Sequence, residues 1–168
     1  MIRALAVADL EVFRALRLEA LQAEPANFAS RYEDWVALSD AEWRRRLTAN
    51  AVFASFDGAE AVGMMGLTLQ GGAKMAHRAH VGMVYLRRAY RGQGRAEALL
   101  TAVEAQARGM GVWQLELTVA AQNPVALRFY ERMGFARVGL IPAGFLHEGR
   151  AMDDVLMMKR IGAALVSG

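Results

Sequence analysis

An arginine- and glycine-rich segment, Arg87 to Arg95, lies in the middle of the chain, where strand-like residues give way to residues with helical spacing. The first N–H groups of a helix have no partner within the helix and carry the positive end of its dipole. Gly92 and Gly94 let a ligand approach the backbone closely. The segment therefore predicts an anion site suited to phosphate, with added charge from four arginines: Arg87, Arg88, Arg91 and Arg95.

Two common phosphate-binding motifs do not fit this segment. A Walker loop needs a lysine followed by serine or threonine, which the sequence lacks here. A dinucleotide fingerprint needs a third glycine where the chain has Glu97. Glu116 lies about 20 residues further on, but in mid-strand rather than at a strand end.

A second pattern begins at Asn123-Pro124, an N-cap followed by proline at the first helical position. It resembles motif B of the GNAT superfamily of N-acetyltransferases, and the earlier segment resembles motif A of the same superfamily. The motif A likeness rests on Arg91, Gly94 and Ala96. The motif B likeness rests on Asn123, Ala126, Phe129, Tyr130, Gly134 and Phe135. The resemblance extends over nearly the whole chain.

The resemblance implies an α/β fold with a central mixed sheet of about seven strands and helices on both faces. Residues 1–168 would form one GNAT domain, with acetyl-CoA in a cleft between strands 4 and 5. A bulge near the end of strand 4 would present Val84, Tyr85 and Leu86 to the cosubstrate. Its pyrophosphate would meet Arg91, Gly92, Gln93, Gly94, Arg95 and Ala96, and its thiol end would meet Asn123, Ala126, Phe129 and Tyr130.

The implied reaction is direct transfer of the acetyl group to a primary amine of a small molecule, protein or peptide in a ternary complex. Without cysteine, no acyl-cysteine intermediate can form. Tyr130 is the candidate acid for the leaving thiolate. Some members carry a glutamate where this chain has Thr118, so Glu116 and His80 are the candidate bases. A catalytically silent domain that senses acyl-CoA is the alternative function.

The acceptor itself is not identified by the sequence. Three aromatic residues in the segment after the first helix are candidates for contact with it: Phe28, Tyr32 and Trp35. They could equally pack in the core. Relatives with this resemblance pair through their last strands, so we expect a homodimer, and the apolar tail Ile161–Val166 permits one.

Composition narrows the function classes further. The chain has 168 residues, no cysteine and a net charge of +3. No apolar run approaches the roughly 20 residues that span a bilayer, so we expect a soluble, cytoplasmic protein without membrane or metal. Eighteen of the 20 basic residues are arginine. Because the arginine cluster from Arg87 to Arg95 lies where phosphates of acetyl-CoA would bind, and no other basic run is interleaved with aromatic residues, we expect no nucleic-acid partner.

The elements that must position these residues follow from periodicity and turn signals. Strands are predicted near 2–7, 52–56, 61–70, 79–86, 113–119, 135–141 and 153–160. Helices are predicted from Asp9 to about Gln22, from the capping box at Ser39 to Glu42, after Arg91, and after Asn123. Residues 26–38 are expected to be irregular.

Overall fold

The computed structural model describes residues 1–162, and its strands form one mixed sheet. The strands are β1 (Ile2–Ala4), β2 (Ala51–Asp57), β3 (Glu60–Leu69), β4 (Arg78–Leu86), β5 (Gln114–Ala120), β6 (Ala136–His147) and β7 (Arg150–Arg160). The helices are α1 (Leu10–Ala23), α2 (Tyr32–Val36), α3 (Asp40–Thr48), α4 (Arg95–Gly109) and α5 (Pro124–Arg132). The predicted α/β fold with a seven-stranded mixed sheet is confirmed.

The sheet changes direction in its middle. Its strand order is β1-β2-β3-β4-β5-β7-β6, and every neighbouring pair is antiparallel except β4 with β5. The parallel pair is short, because only residues 78–80 of β4 pair with residues 114–116 of β5. Beyond these residues the two strands separate toward their carboxyl ends. This separation creates the central gap of the molecule.

Helices cover both faces of the sheet and bury two clusters. On one face, α4 and α5 pack against alternate residues of β5 and β7 such as Leu115, Leu117 and Met157. On the opposite face, α1 and α3 cover β2, β3 and the end of β4, with Phe13 and Trp43 in edge-to-face contact. Alternation along the strands places Glu116, Thr118 and Asp154 on this opposite face. These three residues lie on the part of that face that α1 and α3 do not cover.

Several turn and cap signals have the structures expected from the sequence. The Ser39 hydroxyl accepts a hydrogen bond from the Glu42 N–H, and the Glu42 carboxylate accepts one from the Ser39 N–H. Gly58 turns the β2–β3 hairpin with a φ of 56°. Asn123 caps α5 by accepting a hydrogen bond from the Ala126 N–H, and Pro124 is the first helical residue.

Other elements differ from the sequence prediction. The segment expected to be irregular contains α2, whose Trp35 is buried between α1 and α3. Strand β1 ends at Ala4, because the Asp9 carboxylate accepts hydrogen bonds from Arg3 and from the Ala6 N–H and folds the chain back before α1. Asp9 thus holds the turn before the helix and makes no side-chain cap bond to α1.

The last two strands are longer than expected. They continue past the bulge at Ile141 to Phe145 and meet at a turn of Glu148 and Gly149, both with positive φ. The sequence prediction ended the sixth strand at Ile141 and began the seventh at Asp153. In α5 the fully buried side chains are Leu127 and Tyr130, while Ala126, Phe129 and Met133 are only half-buried. The spacing predicted burial of Ala126, Phe129, Tyr130 and Met133, and of these only Tyr130 is buried.

No helix within residues 1–162 is long and apolar enough to cross a membrane. In the same residues, no group of three or more histidine, aspartate or glutamate side chains is placed to hold a metal ion. Of the apolar tail predicted to permit dimer formation, residues 163–166 lie outside the described part of the chain.

Candidate active site

The gap between β4 and β5 is shaped by a bulge in β4. Met64 of β3 pairs with Tyr85 and Gly66 pairs with Gly82, so two β4 residues, Met83 and Val84, face a single residue of β3. Met83 has a φ of 52°, which is uncommon for a residue with a side chain. A bulge with this backbone turns peptide groups out of the ladder. The bulge predicted for the end of strand 4 is therefore present.

A glycine turn and a helix N-terminus stand at the wide end of the gap. Gly92 and Gly94 have φ values of 72° and 73°, in the left-handed region that glycine adopts at little cost. A Cβ placed on either residue would meet no atom within 4 Å, so the space above the turn is open. Gly94 is the N-cap of α4, and no side chain caps that helix. The free N–H groups there can receive an anion.

Most of the arginine charge beside this turn is already paired. Arg87 binds Glu19 and Glu60, and Arg95 binds Asp57 and the carbonyl oxygen of Phe56. The Arg95 side chain thus lies along β2, and only its backbone can take part in the predicted phosphate site. Arg88 is exposed, and its side chain makes no hydrogen bond within residues 1–162. The segment is therefore less electropositive than its sequence suggests.

Arg91 connects the turn to two neighbouring segments. Its Nε donates a hydrogen bond to the carbonyl oxygen of Leu86, at 2.8 Å, and its Nη2 binds Glu24 at the end of α1. The turn that follows, Pro25–Asn27, lies against β5. The chain after α1 thus passes across the wide end of the gap and is attached to it through Arg91.

Asn123 and Tyr130 approach the gap from the β5 side. The Asn123 side-chain oxygen caps α5, which leaves its NH2 group free to donate. Tyr130 is buried between Phe129 and Phe135, with ring centroids 5.0 and 5.5 Å away. Burial raises the pKa of the Tyr130 hydroxyl, so it stays protonated at neutral pH. Within residues 1–162 this hydroxyl has no hydrogen-bond partner.

The two candidate bases lie side by side at the closed end of the gap. His80 and Glu116 are partners in the parallel register. Both carboxylate oxygens of Glu116 accept hydrogen bonds from Arg78, at 2.5 and 2.6 Å. This pairing lowers the pKa of Glu116, which makes it a weaker proton acceptor. Burial lowers the pKa of His80 despite the nearby charge of Glu116, so the imidazole is neutral at pH 7.

Tyr85 belongs to a polar cluster beneath α1. Its hydroxyl donates a hydrogen bond to Glu19 over 2.9 Å, and Glu19 also binds Arg87. Arg87 lowers the pKa of Glu19, while burial and the bond to Glu19 raise the pKa of Tyr85 to about 12. The Tyr85 side chain therefore holds α1 on β4, and its backbone is what remains for a cosubstrate.

The aromatic residues predicted to contact an acceptor are not equally placed. Trp35 is only 7% exposed and packs against Phe13 and Trp43. It is therefore a core residue rather than part of an open surface. Phe28 and Tyr32 are half-buried and remain at the edge of this cluster.

Asp154, a half-buried carboxylate on the face of the sheet away from α4 and α5, was not among the site residues predicted from the sequence. Asp154 pairs in register with Ala120, the last residue of β5, and with Ile141 of β6. Two adjacent aspartates, Asp153 and Asp154, directly before the apolar residues 155–158 were the available signal.

Comparison with known proteins assigns the family. The family model described as "Acetyltransferase (GNAT) family" matches residues 13–135. The chain belongs to the GNAT acetyltransferase family. This confirms the resemblance inferred from the two motifs. It also confirms the enzyme class, acetyltransferase, at the level of the family.

One curated relative is the N-acetyltransferase YycN of Bacillus subtilis (strain 168), itself uncharacterized. It is 40% identical over 52 residues, which cover 31% of this GNAT chain and 33% of the relative. The match thus spans about a third of the relative's length.

Solved GNAT structures superpose over almost the whole chain. A GNAT acetyltransferase from Streptococcus pneumoniae has a TM-score of 0.83 at 22% identity, covering 95% of this chain and 98% of its own. YncA from Salmonella typhimurium, described as an acetyltransferase and solved with its cofactor acetyl-CoA, has a TM-score of 0.81 at 18% identity. That match covers 100% of this chain and 97% of YncA. At these identities the likeness establishes the fold.

Proposed function

We propose that this GNAT protein transfers the acetyl group of acetyl-CoA directly to a primary amine of a small molecule, protein or peptide. One observation carries the proposal: β4 and β5 part after His80 and Glu116, and the glycine turn before α4 stands at the wide end of the opening. A narrow slot with an anion site at its mouth suits a long thiol arm that ends in phosphates.

The residues around the gap fit this cosubstrate. The open space above Gly92 and Gly94 accepts a pyrophosphate against the N–H groups of the first turn of α4. The unpaired edges of β4 and β5 offer peptide groups to the amides of the pantetheine arm. At the β5 side, the free NH2 of Asn123 can donate to the same arm, and the half-buried Ala126 and Phe129 line the thiol end.

Each step of the transfer can be assigned to a group of this chain. The neutral amine attacks the thioester carbonyl, so a C–N bond forms. Peptide N–H groups at the Met83–Val84 bulge stabilise the oxyanion. The C–S bond then breaks, and the Tyr130 hydroxyl gives its proton to the departing sulfur. The proton lost by the new amide nitrogen restores Tyr130 through solvent.

The amine must lose a proton before attack, and the two candidate bases differ in availability. Glu116 is held as a carboxylate by Arg78, which weakens it as a base. His80 is neutral at pH 7 and has a free pair of electrons for a proton. Of these two residues, His80 is the better proton acceptor.

We also propose that the protein is a homodimer that pairs through β6. This edge strand is exposed along its length and carries Val138, Leu140, Ile141 and Leu146, the last of them 72% exposed. An exposed apolar edge strand favours pairing with another strand. Sedimentation of the protein at rising concentration tests this, and a monomer at all concentrations would disprove it.

The proposed activity is tested with purified protein and acetyl-CoA. Calorimetry should show binding of acetyl-CoA, and release of free thiol should follow addition of at least one amine from a panel of amino acids, polyamines, aminoglycosides and peptides. Binding without thiol release on any amine would favour the alternative, a domain that senses acyl-CoA. No binding at all would contradict both functions.

A further inference from the structure

Asp154 is a carboxylate on the face of the sheet away from α4 and α5, level with the carboxyl end of β5. Asp154 lies on β7 directly beside Ala120 of β5, one strand spacing of about 5 Å away. The opposite edge of β5 borders the central gap. Val155 and Met157 are buried under α4 and α5, so alternation turns Asp154 to the other face. Ala120, which is buried, has only a methyl group on that face between Asp154 and the gap.

The structure encloses this carboxylate without pairing it. The Asp154 side chain is half-buried, and its carboxylate forms no hydrogen bond or ion pair with any residue from 1 to 162. The β6 bulge lies directly on it: a Cβ on Gly144 would come within 2.6 Å of Oδ2. The neighbouring Asp153 holds that bulge by accepting a hydrogen bond from the Ala143 N–H. Burial raises the pKa of Asp154, which makes it a better proton acceptor than an ordinary aspartate.

No other carboxylate is free on the adjoining strand. The charge of Glu116 is paired with that of Arg78. Thr118, which is exposed between Glu116 and Ala120, has no charge. Asp154 is a diagonal neighbour of Thr118 on the same face, within reach of a bound molecule. A cation that enters the gap from this face therefore meets Asp154 as its available counter-charge.

We propose that Asp154 receives the protonated amino group of the acceptor and takes its proton before the amine attacks the thioester. This inference rests on the proposed acetyl transfer and identifies alkylamines, which carry a positive charge at neutral pH, as the acceptors whose acetylation depends on Asp154. The proton moves from the ammonium nitrogen to the Asp154 carboxylate, which leaves a neutral amine and a carboxylic acid. After the transfer, the acid returns that proton to water.

The test compares two classes of acceptor on the wild-type protein and on Asp154→Asn. Alkylamines arrive protonated, whereas aromatic amines are neutral at pH 7 and need no base for this step. We expect kcat/KM for alkylamines to fall about 100-fold in Asp154→Asn. The same parameter for an aromatic amine such as aniline should fall less than about fivefold, and the Kd for acetyl-CoA should not change. A merely structural role would lower both classes of acceptor together.

Asp153→Asn is the matched control, because it is the adjacent residue on the opposite side of the strand and its remaining oxygen can still accept the Ala143 bond. It should keep both activities within about twofold. Asp154→Ser serves as a second variant, and thermal unfolding verifies that each is folded. Equal loss on both acceptor classes, or no loss on alkylamines, overturns the role of Asp154 while leaving acetyl transfer intact. Wild-type protein that binds acetyl-CoA yet acetylates no amine overturns both.

Discussion

Arg91 joins Leu86 to Glu24 across the wide end of the gap. Its Nε lies 2.8 Å from the Leu86 carbonyl oxygen, and its Nη2 lies 2.5 Å from Oε1 of Glu24. The side chain expected at the phosphates is thus committed to the end of β4 and the end of α1. It follows that Arg91 shapes the turn, while the backbone around Gly92 and Gly94 is left to meet the ligand.

Replacing Arg91 with lysine should weaken acetyl-CoA binding about tenfold, as measured by calorimetry. Lysine keeps the charge but cannot make the two divergent contacts of the guanidinium. Arg88→Lys is the matched control, since Arg88 is exposed in the same turn, and its Kd should remain within about twofold. An unchanged Kd in Arg91→Lys would show that charge alone matters at this position.

Replacing Gly94 with alanine should weaken acetyl-CoA binding more than tenfold. A non-glycine residue in the left-handed region costs roughly 1–2 kcal/mol, and its methyl group would occupy the space where phosphate would lie. Gly58→Ala imposes the same backbone strain in the β2–β3 hairpin, where a Cβ also has free space. Both variants should lose stability in denaturant, but only Gly94→Ala should lose binding. Equal Kd values for the two would refute a phosphate site at Gly94.

Tyr130→Phe should lower kcat about 100-fold and leave the KM for acetyl-CoA within about threefold. The hydroxyl donates a proton only as the thiolate leaves, so its loss affects turnover more than binding. Because burial raises the pKa of Tyr130, its titration should cause no fall in kcat between pH 7 and 9. Tyr90→Phe is the control for loss of a hydroxyl. A Tyr130→Phe protein with wild-type kcat would exclude the assigned acid.

Glu116→Gln should destabilise the fold by about 1 kcal/mol and change kcat/KM less than threefold, because Glu116 is tied to Arg78. The pKa of Glu116 is lower in the folded protein than its usual 4.5. Its stabilising contribution is therefore complete above about pH 4.5 and is lost as pH falls through the lowered pKa. Urea unfolding of both proteins at pH 7 and at pH 3 measures this difference. Abolished turnover with intact acetyl-CoA binding would instead identify Glu116 as the base.

Arg17→Met should stabilise the protein by about 1 kcal/mol. Arg17 is 4% exposed, and its Nε and Nη1 have no hydrogen-bond partner in the described part of the chain. Burial and the nearby Arg46 lower the pKa of Arg17 to about 10, so the protein holds an unpaired charge at pH 7. Stacking on Trp35 at 4.3 Å offsets only part of that cost.

The Arg17 prediction is checked by thermal and urea unfolding at pH 7. Arg14→Met is the comparison, because Arg14 pairs with Asp40 and its loss should not stabilise the protein. If Arg17→Met unfolds more readily than wild type, the stack with Trp35 outweighs the buried charge.

The sequence predicted the caps and turns of the fold well, because each of them depends on residues that are close together in the chain. The cap at Ser39 and Glu42, the hairpin at Gly58 and the cap at Asn123 each depend on residues within one turn. The glycine turn before α4 was predicted for the same reason. Short α2 escaped prediction, since Trp35 is buried by packing against α1 and α3 rather than by a periodic pattern of its own.

The candidate site was less predictable where it depends on contacts between distant residues. Arg91 and Glu24 are 67 residues apart, and Arg78 and Glu116 are 38 apart. Neither pair could be inferred from spacing, so the arginine cluster was assigned more free charge than it has. Asp154 became visible only when the register of β5, β7 and β6 placed it beside Ala120.

The short contact between β4 and β5 has a mechanical consequence. Within residues 1–162, β4 and β5 pair over only three residues each, with further backbone bonds from Trp113 and Gln114 to the His77 carbonyl oxygen. The two halves of the sheet on either side of this contact therefore share little backbone hydrogen bonding. A ligand bound between β4 and β5 would add contacts to both halves and stabilise them against each other. The amide hydrogens of Thr118 and Val84, which border the gap on opposite sides, should then exchange more slowly with acetyl-CoA bound, and the two halves of the sheet should unfold together.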